Sequence, residues 1–429
     1  MSERYKNSEL MLERALKHIP LGSQTFSKSL TQYPFGVSPY FIQRGSGSRV
    51  RYVDGNEYID FVSGLASITL GYSDPDVDAA VKAQLEEGVI FSLAHPIEIQ
   101  VAEKICEMVP CAEMVRFGKN GSDATAGAVR VARAFTGRDR IAVCGYHGWQ
   151  DWYIGATARN LGVPQAIRDL THTFPYNDLD ALSSLLQSHT GEFAAVILEP
   201  MNVSEPNPGY LQAVKELAHK HGAILIFDET ITGFRFANGG AQELFGVTPD
   251  LATFGKGLAN GYPLSAVAGR ADIMALMEEI FFSFTFGGET LSLAASLATM
   301  NKLQNRPVVE TLKKQGEKII TGLREIITEN NAESFLSVAG HPSWSFFVIQ
   351  DSKNVSSWAL KTLFMQEMIS RGVMTLGSHN LNFTHSDLDL SLTLEAYRQV
   401  IPYLVEGLNS DRLNELLRCK PLVPLFKLR

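Results

Sequence analysis

Cysteine is scarce. The 429-residue chain has four, Cys106, Cys111, Cys144 and Cys419, and no two of them form a C-x-x-C pair. This spacing argues against a disulfide scaffold and against structural zinc, and predicts reduced, mostly buried thiols with no metal site. No run approaches the roughly eighteen continuous apolar residues a membrane-spanning helix needs. The opening stretch MSERYKNSELMLER is charged from its start and has no apolar leader core, so a cytoplasmic location is expected. Long basic runs are missing as well. With a net charge of -8 and a pI near 5.7, the chain offers nucleic acid or an anionic membrane no electrostatic purchase, which leaves small molecules as the expected ligands. There is no low-complexity tract, internal repeat or obvious linker, and a hydrophobic content of 45% with a mean hydropathy of -0.01 is that of a globular protein.

What is present is a rhythm. SELMLERALKHIP reads as a helix closed by Pro20, and VRYVDGNEYIDFV as two β-rich runs around Asp54-Gly55, a hairpin. From about residue 90 short apolar strands alternate with amphipathic helices: HPIEIQVAEKICEMV (helix), MVRF (strand), SDATAGAVRVARAF (helix), RIAVCG and FAAVILEP (strands), GYLQAVKELAHKHG (helix), then AILIFDE, LATFGK and LSAVAG (strands). Strands that are apolar throughout, interleaved with helices, imply an α/β fold with a mostly parallel sheet covered on both faces. Beyond residue 300 come the helix ETLKKQGEKIITGLREIITEN, the strand SWSFFVIQD, the helix VSSWALKTLFMQEMISRG, the strand GVMTL and the helix DLDLSLTLEAYRQVIPYLVEGL, a smaller α+β domain. We therefore expect three segments: 1–60, an arm, helix and hairpin joined to the small domain; 61–300, the large domain; and 301–429, the small domain.

Ligands of such sheets sit at the carboxyl ends of the strands. MVRF runs into GKNGSDATAG, a glycine-bearing turn expected to open a helix at Ser122 or Asp123, whose free N–H groups and positive dipole end suit a phosphate. An ordinary strand-to-helix turn would look the same. RIAVCG ends in Tyr146-His147-Gly148-Trp149, aromatic groups that could stack on a flat ring or pack in the core. FAAVILEP ends in Glu199, a ligand-bonding or capping carboxylate; AILIF delivers Asp228 and Glu229; LATFG delivers Lys256. A lysine after a buried strand, flanked by glycines, needs a reason. A phosphate cup, a stacking aromatic, a carboxylate and a lysine at neighbouring strand ends are together what pyridoxal phosphate requires. Lys256 would form the Schiff base and later move the substrate proton, and Asp228 would keep the pyridine nitrogen protonated.

The ordered set VRFGKNGSDA, ARAFTGRDRIAVCGYHG, VILEP, GAILIFDETITGFR and GGAQELFGVTPDLATFGKGLANGYPLSAVAGR closely resembles the class III aminotransferases of PLP fold type I, and within them glutamate-1-semialdehyde 2,1-aminomutase. The resemblance implies a large seven-stranded sheet domain with a smaller α+β domain, pyridoxal phosphate as cofactor, and a homodimer with active sites at the interface. It places the Schiff-base lysine on Lys256, the ring-nitrogen carboxylate on Asp228, the stacking tyrosine on Tyr146 and the phosphate turn on Gly121 and Ser122, with Asp123 and His147 beside them. Thr230 stands where relatives pack an apolar residue against the ring. Thr285, in SFTFGGET, stands where a threonine of the neighbouring subunit completes the phosphate site; a helix-capping or core threonine is the alternative.

The substrate half departs from the aminomutase pattern. GSQTFSKS offers Lys28 in place of an arginine, Leu65 stands near the position of a tryptophan, and GVMTLGSHNLNFTHSD lacks a glutamate-bearing segment. The asparagine expected after Glu-Pro falls on Ser204, with Asn202 two residues earlier. These departures imply amino-group transfer on a different donor or acceptor, such as a bacterial sugar or another metabolite, with the aminomutase reaction as the alternative. A racemase or decarboxylase on the same cofactor, or a non-catalytic PLP-binding partner module, are further alternatives. His219 and His221 read as helix-terminal cations, and Arg235 as an ion-pair partner or a substrate clamp.

Overall fold

The structure, a computed structural model, describes residues 3–352, 355–409 and 412–424. Two compact units form: one from the described residues up to Asp74 together with those from Glu310 onward, the other from Pro75–Val309.

The second unit is built on a seven-stranded sheet in the order Met114–Gly118, Ser265–Gly269, Leu251–Phe254, Ile224–Asp228, Phe193–Leu198, Arg140–Cys144, Thr171–Thr173. Ser265–Gly269 runs antiparallel to both of its neighbours, and the other pairings are parallel. Six strands therefore point the same way and end on one edge. Alternation along the strands feeds two cores. Ile141, Val143, Ala195, Ile197, Ile224, Ile226 and Val267 face the helix that carries Ala124, Ala128, Val131 and Ala132. Ala142, Val196, Leu198, Leu225 and Phe227 face the helices that carry Leu182, Leu186, Leu211, Val214 and Ala218. Burying each such side chain on both faces stabilises the sheet by about 1.5–3 kcal/mol, which is why these strands carry almost no polar residues before their last position.

The helix Gly121–Thr136 starts one residue ahead of Ser122 and two ahead of Asp123, the two expected starts. Asn120 is its N-cap: Asn120 Oδ1 accepts from Asp123 N, while the Asp123 carboxylate accepts from Asn120 N, a reciprocal capping box.

In the first unit the Asp54-Gly55 hairpin forms, with Arg49–Tyr52 antiparallel to Glu57–Asp60 and Gly55 at φ +86°. A second small sheet joins Leu336–His341, Trp344–Ile349 and Ser378–Asn380, and the helices Ser357–Ser370 and Asp387–Asn409 lie in the same unit. The stretch after the hairpin was not legible as structure. Ser63, Gly64, Leu65 and Ala66 take φ of 44°, 58°, 62° and 65°, a left-handed turn. A non-glycine residue costs roughly 1–2 kcal/mol in this conformation, and the turn is tied down by Ser63 Oγ, which donates to Asn380 O at 2.7 Å.

Candidate active site

The six aligned strands deliver their polar residues to one edge of the second unit. Asp228 is the last residue of its strand and 4% exposed. Its Oδ1 accepts from Thr230 N and Thr253 Oγ1, both at 3.1 Å, and its Oδ2 faces His147 Nδ1 at 2.9 Å. The other imidazole nitrogen, Nε2, lies 3.1 Å from the carbonyl of Cys144, which can only accept. Both ring nitrogens thus face acceptors, and the fully bonded form of His147 donates at both. Burial pushes the Asp228 carboxyl up, but the bond and charge of His147 and the Thr230 donors outweigh it and hold it below the usual carboxylate range.

His147 is fixed from all sides. Trp152 and Tyr153 lie against its ring with centroids 6.3 and 5.3 Å away, and its carbonyl accepts from Thr125 Oγ1 at 2.8 Å. It sits between two glycines that take positive φ, Gly145 at 106° and Gly148 at 102°. Neither position tolerates a side chain. A Cβ on Gly145 would come within 2.6 Å of Glu199 Oε2, and one on Gly148 within 2.3 Å of Ser122 Oγ. The close approach at Gly148 lets Trp149 N donate to Ser122 Oγ at 3.2 Å, joining this loop to the start of the helix Gly121–Thr136. Tyr146, 51% exposed, meets Tyr153 edge-on at 5.7 Å and 87°.

Glu199 is buried, and its Oε2 accepts from Tyr146 N at 3.1 Å and Asn202 Nδ2 at 2.9 Å. Burial and the nearby Asp228 charge push it above the usual carboxylate range. Of the two residues weighed after Glu-Pro, Asn202 reaches this group; Ser204 is exposed. Lys256 follows the strand Leu251–Phe254 through Gly255 and holds φ +43°, a strained position for lysine. Burial lowers its amine below the usual lysine range, while the charges of Asp228 and Glu199 oppose that shift and Arg235 adds to it. Arg235 is 1% exposed, and burial pushes its guanidinium down to about 10.

Thr230 packs against Gly121 and Gly255: a Cβ on Gly121 would lie 3.1 Å from Thr230 Cγ2, and one on Gly255 3.4 Å from the same atom. At the helix start the amides of Gly121 and Ser122 precede the first intrahelical bonds, as at any helix N-terminus. The Asp123 carboxylate is engaged by Lys119 N and Asn120 N, both at 3.0 Å, so it serves the cap.

Thr285 is exposed in the segment before the helix Thr290–Asn305. The N-cap of that helix is Glu289, so Thr285 neither caps it nor lies in the core. His219 Nε2 lies 2.7 Å from Asp250 Oδ2 and His221 is partly buried, while among the described residues no group of three or more His, Cys, Asp or Glu is placed to hold a metal.

Sequence reading passed over Thr253 and the anchoring glycines Gly145 and Gly148. The signal for Thr253 was available, since it is the one polar residue in the buried run LATF, and buried hydroxyls seek partners.

The model of the aminotransferase class-III family matches residues 33–396. The chain belongs to this family. It is therefore a pyridoxal-phosphate-dependent enzyme of amino-group transfer, of PLP fold type I. This class-III aminotransferase is 35% identical to a 3-aminobutyryl-CoA aminotransferase of Cloacimonas acidaminovorans, over 93% of the chain and 98% of that protein. It is 36% identical to a glutamate-1-semialdehyde 2,1-aminomutase of Syntrophobacter fumaroxidans, over 91% and 96%. Among solved structures it superposes on the FumI protein of Sphingopyxis sp. MTA144, solved with PLP, at a TM-score of 0.86 and 28% identity over 97% and 99% of the two chains. An omega-transaminase from Sphaerobacter thermophilus gives 0.83 and 28% over 93% and 98%.

Proposed function

We propose that this aminotransferase holds pyridoxal phosphate at the carboxyl edge of the seven-stranded sheet, attached through Lys256, and transfers amino groups between small molecules other than glutamate 1-semialdehyde. The observation that carries the reading is Lys256 itself, a lysine kept in left-handed backbone geometry, its amine lowered by burial within the field of Asp228 and Glu199. The surroundings fit the cofactor. Gly121 and Gly255 leave room that a Cβ would fill, and the helix N-terminus at Gly121 is the kind of end that suits an anion.

When bound, pyridoxal phosphate supplies an aldehyde carbon that exchanges amines and a ring that accepts electrons from the substrate carbon. The chain's residues do the rest. Asp228 uses Oδ1 for Thr230 and Thr253 and keeps a lone pair on Oδ2 beside His147, so an ionised acceptor awaits a protonated ring nitrogen. His147 is a positioning residue. The amides of Gly121 and Ser122 receive the phosphate, Tyr146 offers its ring for stacking, and Glu199 with Asn202 fixes the neighbouring wall. The Lys256 amine, pushed below the usual lysine range by burial, takes and returns the substrate proton.

Thr285 acts across a subunit interface in this reading. The chain exposes Phe91, Leu93, Ile99, Met114, Phe281 and Phe286, an apolar set that supports pairing with a second copy. The segment bearing Thr285 is moored by Arg116, which donates to Phe282 O at 3.3 Å, and by the Lys119–Glu289 ion pair at 3.0 Å. A cytoplasmic location belongs to the same proposal; among the described residues no helix is long and apolar enough to cross a membrane.

Absorbance of the purified protein, with borohydride reduction and mass spectrometry of the peptide around residue 256, tests the cofactor half. Covalent attachment at Lys256, lost in Lys256→Ala, is expected; a colourless protein that does not take up added PLP refutes it. For the substrate half, efficient isomerisation of glutamate 1-semialdehyde without added donor or acceptor would establish the aminomutase reaction instead.

A further inference from the structure

The stretch 282–289 is held at both ends and exposed in the middle. At its first end Phe282 fills the slot left by Gly127, where a Cβ would come within 2.9 Å of the ring, and its carbonyl accepts from Arg116 Nη2 at 3.3 Å. At the other end the Glu289 carboxylate accepts from Leu291 N at 2.8 Å, from Ser292 Oγ at 2.6 Å and from Lys119 Nζ at 3.0 Å. Residues 283–286, Thr285 among them, are exposed.

Both moorings start from one place. Arg116 lies in the strand Met114–Gly118, and Lys119 follows that strand directly, one residue before the N-cap Asn120. The Lys119 amide donates to the Asp123 carboxylate of the capping box at 3.0 Å while its ammonium holds Glu289, so a single residue joins the phosphate turn to the stretch that carries Thr285. The two side chains are 18% and 13% exposed, which limits screening by water and salt, and the donors from Leu291 and Ser292 lock the carboxylate in one orientation. In sequence the Lys119 charge sits beside its own phosphate turn. What it fixes in space is the far end of the Thr285 stretch.

We propose that Lys119 is a positioning residue that acts in trans: through Glu289 it fixes the stretch that carries Thr285, and so governs phosphate binding in the other subunit's site rather than in its own. This rests on the cofactor and subunit-interface readings above. Without the Lys119 charge, Glu289 still caps the helix Thr290–Asn305 but is no longer tied to the end of the strand Met114–Gly118. The stretch then keeps its Phe282 anchor alone on that strand, and the second site loses a hydroxyl held in register.

The test uses mixed dimers, co-expressed with two tags and purified through both, in which one chain carries Lys256→Ala so that only the other chain can be trapped with PLP. The quantity read is the PLP concentration that gives half-maximal borohydride-fixed adduct on Lys256, by mass spectrometry. With Lys119→Met placed in the Lys256→Ala chain, binding at the intact Lys256 is expected to weaken about tenfold, the value of one hydrogen bond to a charged group. With Lys119→Met placed in the chain that carries Lys256, binding is expected to stay within about twofold of the mixed dimer with native Lys119. Lys119→Arg, which keeps the ion pair, is expected to bind like native Lys119 in the first arrangement. Both dimers hold the same substitutions, so a general folding defect weakens them alike, and equal loss in both overturns the proposal. So does loss in the second arrangement alone, or in neither. Thr285→Val in the Lys256→Ala chain separates the readings: if it leaves PLP binding unchanged, the role given to Thr285 falls, and the trans route with it. Chains that form no mixed dimer, or a native-Lys119 dimer that traps no PLP, overturn the interface or the cofactor reading instead.

Discussion

Replacing His147 with phenylalanine separates the charge role of this residue from its bulk. The ring volume and the contacts with Trp152 and Tyr153 persist, while both donors vanish: Nδ1 to Asp228 at 2.9 Å and Nε2 to the Cys144 carbonyl at 3.1 Å. The His147 side chain is 0% and the Asp228 side chain 4% exposed, so water cannot replace what is lost. Removing one partner of a buried ion pair typically costs about 3–5 kcal/mol, or roughly a hundredfold to several thousandfold in the folding equilibrium. The two donors that stay, Thr230 N and Thr253 Oγ1, place the expected loss at the lower end.

The loss depends on pH in a defined direction. Asp228 is depressed in the folded protein, so its pairing stabilises above the ordinary carboxylate range and is lost as pH falls through the depressed value. In His147→Phe the unpaired, buried carboxyl takes a proton readily. The gap between variant and wild type is therefore widest near neutrality and shrinks on acidification. The assay is urea unfolding of the cofactor-free proteins at pH 7.5 and about pH 4, following amide exchange of the strand Ile224–Asp228. A variant as stable as wild type at pH 7.5, or a deficit that does not change with pH, refutes the reasoning.

Gly148→Ala places a Cβ 2.3 Å from Ser122 Oγ at a φ of 102°, so the loop and the helix start must separate; a loss of at least about 2 kcal/mol and more than tenfold weaker PLP binding are expected in unfolding and titration experiments. Lys256→Met removes an amine that burial disfavours when charged: the penalty is present below its lowered folded value and relieved as pH climbs toward the ordinary lysine range. The cofactor-free Met variant should accordingly be more stable than wild type at neutral pH, with the difference narrowing as pH rises in thermal melts. Phe286→Glu puts a charge on a side chain 57% exposed within the apolar set, and sedimentation should show a shift toward monomer, whereas an unchanged association state would remove this face from the interface.

Much of the sheet was legible because its strands are buried on both faces, which leaves them almost wholly apolar inside; the runs ending at Cys144, Leu198, Asp228 and Phe254 announce themselves this way. The helix after Met114–Gly118 opens one or two residues ahead of the expected Ser122 or Asp123, because the reciprocal bond with Asp123 makes Asn120 the cap. The left-handed turn at Ser63–Ala66 left no trace in local preference, since only Gly64 favours it.

The sequence by itself determined six of the seven strands of the large sheet, their alternation with helices and the polar residues at or just beyond several of their ends, because burial and capping act over a few residues; the short, polar strand Thr171–Thr173 was missed. Only the tertiary structure decided which ends become neighbours. His147 and Asp228 stand 81 residues apart in the chain, and Asp228 and Thr253 lie 25 apart yet face each other in register across parallel strands. Which strand pairs with which follows from how the whole sheet buries both of its faces, and a quantity summed over the whole unit is not written in any short stretch of it.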